Sequence, residues 1–275
     1  MSKAYSIVAI VTAGWSPGED DPLAEHTQGR SKALIPIAGR PMITYVVDAL
    51  SGTRTIERVV IVGLDPTVQI QASTPVEYVA NAGGLLENME AGFQYVAQNY
   101  PNADAMLLSS ADIPTITPSI VAAFIEECLR TDHDLYYSIV ARSVMETRFP
   151  ESRRTYVHLR EGNYAGGDLT LIRTGVGFGQ RELWRNLARA RKHPLRQAAM
   201  FGLWPLVKLI TRRLTLAEAE TRACAVLNMR GRAVPFPYAE VGMDVDKPFQ
   251  LEIVRRELCK GRSSACPPVI PRVGP

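Results

Sequence analysis

Short β-branched and aliphatic runs alternate with stretches of helical spacing through the first half of the chain, and no other feature restricts the fold as strongly. YSIVAIVT (5–12), RVVIVG (58–63), VEYV (76–79) and AMLLSS (105–110) read as strands. Between them, Pro41 suits the first turn of a helix through Tyr45, Val46 and Ala49, and residues 84–98 set Leu85, Met89, Phe93 and Val96 on one face. Thr117-Pro118 is a cap followed by a first-turn proline, opening a helix that buries Ile120, Val121, Phe124, Cys128 and Leu129. The order strand, helix, strand predicts βαβ units: an α/β fold with a mostly parallel central sheet and helices on its faces.

The second half is less regular. LYYSIV (135–140), TYVHL (155–159) and DLTLI (168–172) read as strands, followed by helical patterns at 180–192, 195–210 and 215–227, a short strand near 232–236 and a last helix from Pro248 to Leu258. With 275 residues, 46% of them hydrophobic, this predicts one domain over 1–260 carrying a helical insertion at about 180–228. The segment 261–275, with four prolines and two serines, reads as a disordered tail. A net charge of +3 is too small to argue for a nucleic-acid partner. Cys128, Cys224, Cys259 and Cys266 lack metal-ligand spacing and read as reduced, mostly buried thiols. The opening apolar stretch is too short for a membrane span and has no small-residue cleavage pattern, which suggests a cytoplasmic protein.

In an open parallel sheet, ligands gather beyond the carboxyl ends of the strands. Three such places carry chemistry: Thr12-Ala13-Gly14, Ala111-Asp112-Ile113-Pro114, and Gly242 to Pro248 with Asp244 and Asp246. Gly14 allows a sharp turn and close backbone approach. Asp112 either projects into the crevice or is a plain turn or cap residue, and Asp246 stands before a helix, where it serves either as cap or as ligand. Two strand-end acids with Lys32 suit Mg²⁺ and phosphate chemistry, because Mg²⁺ takes one or two carboxylates plus substrate phosphate oxygens. The excursion over 15–31 carries Glu19, Asp20, Asp21 and Glu25, the wrong sign for gripping phosphate, and reads as a lid or a ligand-ordered loop. It ends at Lys32 and an Ala-Gly-x-Pro (38–41) of a kind that suits a phosphate loop.

The segments "IVTAG…GRSKALIPIAGRPMITYVVDAL", "SSADIPTITP" and "GMDVDKPFQLEIV" together resemble the signatures of the MobA-like nucleotidyltransferases. The resemblance implies the nucleotide-diphospho-sugar transferase fold, a Rossmann-like three-layer α/β/α sandwich. It implies transfer of NMP from an NTP to a small phosphorylated acceptor with release of pyrophosphate, as in molybdenum cofactor guanylylation. By that likeness Ala13, Gly14 and Trp15 form the nucleotide-holding loop, Lys32 contacts phosphate, and Asp112 and Asp246 hold Mg²⁺. The family's loop usually carries an arginine within a few residues of the glycine. Here the next one is Arg30, the candidate replacement. NAGGLLENMEAGF (81–93) occupies the base-reading place, with Asn81, Gly83 and Gly84 as candidates. Its departure from the guanylyltransferase pattern leaves open a sugar- or polyol-phosphate nucleotidyltransferase for lipid or cell-surface precursors. From another class, a non-catalytic nucleotide-binding regulator also remains.

Asp168, His158 and Arg160 are candidates for the acceptor; the plainer accounts are a strand starting after the Gly166-Gly167 turn for Asp168 and a polar strand face for His158 and Arg160. Gly175, Gly177 and Gly179 have GxGxG rather than GxGxxG spacing and argue against a dinucleotide site. Arg181, Arg185, Arg189 and Lys192 share one helix face, either solvated or an anion-binding patch. Ala198 to Val207 is uninterrupted apolar sequence, read as a buried or homodimer-forming helix broken at Pro205, with peripheral membrane contact through 181–213 as the alternative.

Overall fold

The computed structural model describes residues 5–14, 22–27, 29–175 and 203–260. Trp15, the acidic stretch 19–21, Gly177, Gly179, the arginine face of 181–192 and the tail 261–275 lie outside the described residues. The central sheet is built from β1 (Ile7–Thr12), β4 (Ile56–Val62), β5 (Val76–Val79), β6 (Ala105–Ser110), β7 (Leu135–Ala141), β8 (Val157–Leu159), β9 (Gly162–Arg173) and β10 (Gly231–Pro235). Its order is β10-β7-β9-β6-β1-β4-β5, with β8 pairing β9. β1 pairs in parallel with both β4 and β6, β4 with β5, and β10 with β7. β9 runs antiparallel to β6, β7 and β8.

Every residue of β1 is buried, because it is the central strand with both faces covered. Its side chains alternate between two cores. Ile7, Ala9 and Val11 join α2 (Met42–Ser51), α4 (Pro118–Leu129) and α8 (Pro248–Cys259) on one face. Val8 and Ile10 meet Phe93 and Val96 of α3 (Leu85–Asn99) on the other, which makes three layers. Each fully buried Ile or Val contributes on the order of 1.5–3 kcal/mol through burial, so a continuous apolar strand is held firmly in the interior. α3 comes close to the sheet at Gly92, where a Cβ would lie 2.7 Å from Ile10 Cγ2 and 3.0 Å from Val62 Cγ2.

Local chemistry explains the boundaries. Thr117 caps α4 by accepting from the Ile120 N–H, with Pro118 at the first helical position. The Ala-Gly-x-Pro segment is a hairpin turn. Ala38 (φ 47°) and Gly39 (φ 79°) make a two-residue hairpin turn between β2 (Pro36–Ile37) and β3 (Arg40–Pro41), and Pro41 then leads into α2. A short α1 (Ala24–Thr27) precedes it. β9 starts six residues earlier than the apolar pattern suggests. Gly166 and Gly167, which hide the strand in the sequence, leave room for the Tyr137 and Ser138 hydroxyls of β7, which a Cβ at either position would displace.

α5 (Arg142–Arg148) follows β7, and its Arg148 pairs with Glu240 and Glu257. Beyond β9, α6 (Leu203–Ile210) and α7 (Leu216–Leu227) form a separate small core on β8, where Leu206, Leu209, Leu214 and Ala219 meet Val157 and Leu159. Pro205 lies within α6; the part of the apolar stretch before Leu203, and with it the expected break, lies outside the described residues. Among the described residues no helix is long and apolar enough to cross a membrane. Cys128 and Cys224 are free, but Cys259 is disulfide-bonded, correcting the expectation of four reduced thiols. It ends α8 half-buried at the edge of the core, where spacing within the sequence says nothing about pairing.

Candidate functional site

At the carboxyl end of β1 the chain turns away at Ala13 and Gly14. Ser31 brings it back by donating from Oγ to the Ala13 carbonyl at 2.7 Å and accepting from the Ala33 N–H at 3.3 Å. The same hydroxyl thus caps the short 3₁₀ turn Lys32–Leu34 and staples it to the strand end. Lys32 is aimed across the sheet edge as a result. Its Nζ lies 2.5 Å from Asp112 Oδ2 and 2.7 Å from Asp246 Oδ1.

Asp112 follows β6 and is only 5% exposed. The Ser110 hydroxyl donates to its Oδ1, and the Val245 N–H donates to its main-chain carbonyl at 2.9 Å, tying the segment before α8 to the end of β6. Asp246 does not cap α8, whose first position outside the helix is Lys247. Its N–H donates to Gln250 Oε1 at 3.0 Å, and its carboxylate is turned to Lys32. Asp244 takes no part in that cluster, being paired with Arg154.

Burial works against the charged Lys32 ammonium, but Asp112 and Asp246 outweigh it and hold the pKa above the ordinary lysine range. Two carboxylates from separate elements therefore converge on one cation. Among the described residues no group of three or more His, Cys, Asp or Glu side chains is placed to hold a metal. Two carboxylates at the mouth of a crevice fit a hard divalent cation that completes its shell with phosphate oxygens and water.

The nucleotide candidates gather beside this cluster. Gly83 takes φ 113°, Gly84 is the residue before α3, and the loop is folded around Asn88 of α3. Asn88 is 2% exposed; its Oδ1 accepts from the Ala82 N–H at 2.7 Å and its Nδ2 donates to Asn81 Oδ1 at 2.9 Å. Asn81 Oδ1 also accepts from the Gly83 N–H at 3.2 Å. A Cβ on Gly14 would collide with Asn88 Nδ2, and one on Gly63, at the end of β4, would collide with Gly14 Cα. Ala13, Gly14, Asn81 and Gly83 are thus brought together, with Gly63 and Asn88 as parts the sequence reading missed. Arg30 is exposed and held through its N–H to the Thr27 carbonyl at 3.0 Å.

Of the acceptor candidates, Asp168 stands at this same end of the sheet, one residue beyond the Ser109–Leu169 pairing. His158 and Arg160 lie further out on the β8–β9 hairpin. His158 Nδ1 is 2.5 Å from Asn163 Oδ1, and the Arg160 N–H donates to the Leu214 carbonyl at 2.9 Å. Asp168 stands beside the lysine cluster in the sheet, whereas the other two belong to the hairpin that carries α6 and α7.

A family model described as a MobA-like NTP transferase domain matches residues 26–199. Among solved structures, a hypothetical transferase from Thermus thermophilus is 36% identical, with TM-score 0.75, covering 90% of this chain and 99% of that one. A CMP:2-keto-3-deoxy-manno-octonic acid synthetase in complex with CTP is 16% identical (TM-score 0.55, 93% and 99% covered). A 4-diphosphocytidyl-2C-methyl-D-erythritol synthase from Anaerococcus prevotii is 11% identical (TM-score 0.53, 93% and 99% covered). The latter two likenesses concern the fold. No curated protein sequence matches the chain.

Proposed function

The chain belongs to the MobA-like NTP transferase family and is a nucleotidyltransferase, and from that premise we propose that it moves NMP from an NTP to a small phosphorylated acceptor with Mg²⁺ held by Asp112 and Asp246. The observation that carries this reading is the convergence of those two carboxylates on Lys32 Nζ, at 2.5 and 2.7 Å.

A phosphate oxygen of the acceptor attacks the α-phosphorus; the new P–O bond forms as the α–β phosphoanhydride bond breaks, and pyrophosphate leaves with its electron pair. No side-chain nucleophile is needed, so the protein contributes positioning and charge. Bound Mg²⁺ supplies electrophilic stabilisation to phosphate oxygens. Lys32, kept charged, neutralises negative charge on the phosphates, while Gly14 lets the backbone approach the nucleotide and the Asn81–Gly84 loop takes the base. Asp168, at the same end of the sheet, is the candidate contact for the acceptor, and His158 and Arg160 on the outer hairpin are candidates only for an acceptor long enough to reach them.

A pyrophosphate-release screen tests the reading: the four common NTPs against phosphorylated sugars, polyols and molybdopterin, with Mg²⁺ and with EDTA, and Asp112→Asn as the blank. Mg²⁺-dependent release with one NTP–acceptor pair, lost in Asp112→Asn, is expected. Full activity in Asp112→Asn would overturn the assignment. Tight NTP binding without turnover on any acceptor would favour a regulator instead.

A further inference from the structure

We infer that Asn88 is a positioning residue that sets which base the protein accepts, by fixing the Asn81–Gly84 loop against Gly14. The inference rests on the proposed role of that loop in holding the nucleotide base. Asn88 is a fully buried carboxamide on the side of α3 that faces the sheet, where an apolar residue would be the simpler choice. A buried amide is retained at low cost only when its hydrogen bonds are made. Both ends of this one are spent on a single loop: Oδ1 accepts from the Ala82 N–H at 2.7 Å and Nδ2 donates to Asn81 Oδ1 at 2.9 Å. Asn81 Oδ1 accepts a second bond from the Gly83 N–H, which helps to set the φ 113° turn at Gly83.

Nδ2 also fills the space that a Cβ on Gly14 would need. The carboxamide therefore sets the separation between the turn after β1 and the loop after β5. In the proposed reading these hold the phosphate side and the base side of one NTP. A planar heterocycle is told apart by the edge of donors and acceptors it meets, and discrimination collapses when those groups can shift to suit another base. Asn88 touches no ligand in this account. It acts through Asn81 and the backbone of 82–84.

The test measures NTP affinity by titration calorimetry, and KM and kcat for each of the four NTPs, in wild type, Asn88→Ala and Asn88→Asp. Loss of one buried hydrogen-bonded amide predicts KM and Kd weakened about tenfold for the preferred NTP, with kcat falling by less than KM rises. The preference for that NTP over the next best should narrow by a similar factor. Asn88→Asp keeps the acceptor for the Ala82 N–H but sets an oxygen against Asn81 Oδ1, so it should fall between the other two; it also serves as the near-isosteric readout if Asn88→Ala does not fold. A purely structural asparagine would lower the melting temperature and leave base preference unchanged, and that result in either folded variant overturns the inference. If wild type binds no NTP, the proposed function itself fails.

Discussion

At Lys32 one ammonium is shared by two carboxylates at the point where two strand ends and the start of α8 meet. Lys32→Ala leaves Asp112, 5% exposed, facing another carboxylate with no cation between them. Loss of a preorganised charge at a reacting phosphate typically costs about 10²–10³ in rate, so kcat/KM of Lys32→Ala should fall on that scale in the pyrophosphate assay. A fall of only about twofold would remove Lys32 from the mechanism. Gly14→Ala makes a steric prediction, because its Cβ collides with Asn88 Nδ2. NTP affinity should drop, and the melting temperature should fall with it, because the added Cβ has to displace the buried Asn88 carboxamide. Asp112, Asp246 and Gly14 stood out in the sequence because each follows a strand or precedes a helix that begins with proline, and Lys32 because it is the cation that closes the acidic excursion over 15–31. Asn88 did not. Apolar spacing put Leu85 and Met89 on the inner face of α3; Met89 does pack against that core, but Leu85 is exposed and Asn88 and Gly92 are buried beside Met89. A polar side chain that points inward to organise a loop breaks the apolar period instead of following it.

Elements with a strong period were visible, and those that depend on distant partners were not. β1, β5, β6, α4 and α7 lie close to where their patterns place them, α7 with Thr215 and Glu218 forming a capping box at its start. The first half of β9 was hidden, since its glycines answer to the Tyr137 and Ser138 side chains of another strand. α3 makes the same point with Gly92, whose missing side chain lets the helix reach Ile10 and Val62. Gly92→Val should cost about 1–3 kcal/mol by overpacking and lower the midpoint of thermal unfolding. An unchanged midpoint would mean that α3 can lift off the sheet freely. α5 is joined to α8 and to the turn Ala239–Gly242 by Arg148, which holds the Glu257 carboxyl down at about 2, helped by Lys260 and opposed by burial. A depressed carboxyl stabilises the fold above its unfolded-state value and loses that contribution as pH falls through the folded one. Arg148 is partly exposed, so about 1 kcal/mol is expected after screening. Glu257→Gln should therefore lower stability near neutral pH, and the gap to wild type in thermal melts should close as pH is taken from about 5 to about 2. A gap that persists at the acid end would exclude this ion pair as its source.

At the scale of the whole molecule, the proposed site exists only if the sheet is complete. Lys32 and Asp246 are 214 residues apart in sequence, and Asp112 reaches them through β6, the neighbour of β1. A ligand that bridges these segments binds the folded chain and not the unfolded one, so binding must appear as global stability. At about one hundred times its Kd such a ligand adds about 2.7 kcal/mol. For a chain of this size that raises the melting temperature by roughly 5–10 °C. The two carboxylates divide the effect into parts that can be measured separately. In wild type, NTP with Mg²⁺ should raise the midpoint clearly more than NTP with EDTA, because in the proposed site the cation would join Asp112 and Asp246 to the phosphates. In Asp112→Asn the two shifts should coincide, while the shift given by NTP alone is retained through the Gly14 and Asn81 side of the site. An equal Mg²⁺-dependent increment in both proteins would place the cation elsewhere, and the pairing of Asp112 with Asp246 around Lys32 would then be an ion cluster that only braces the strand ends.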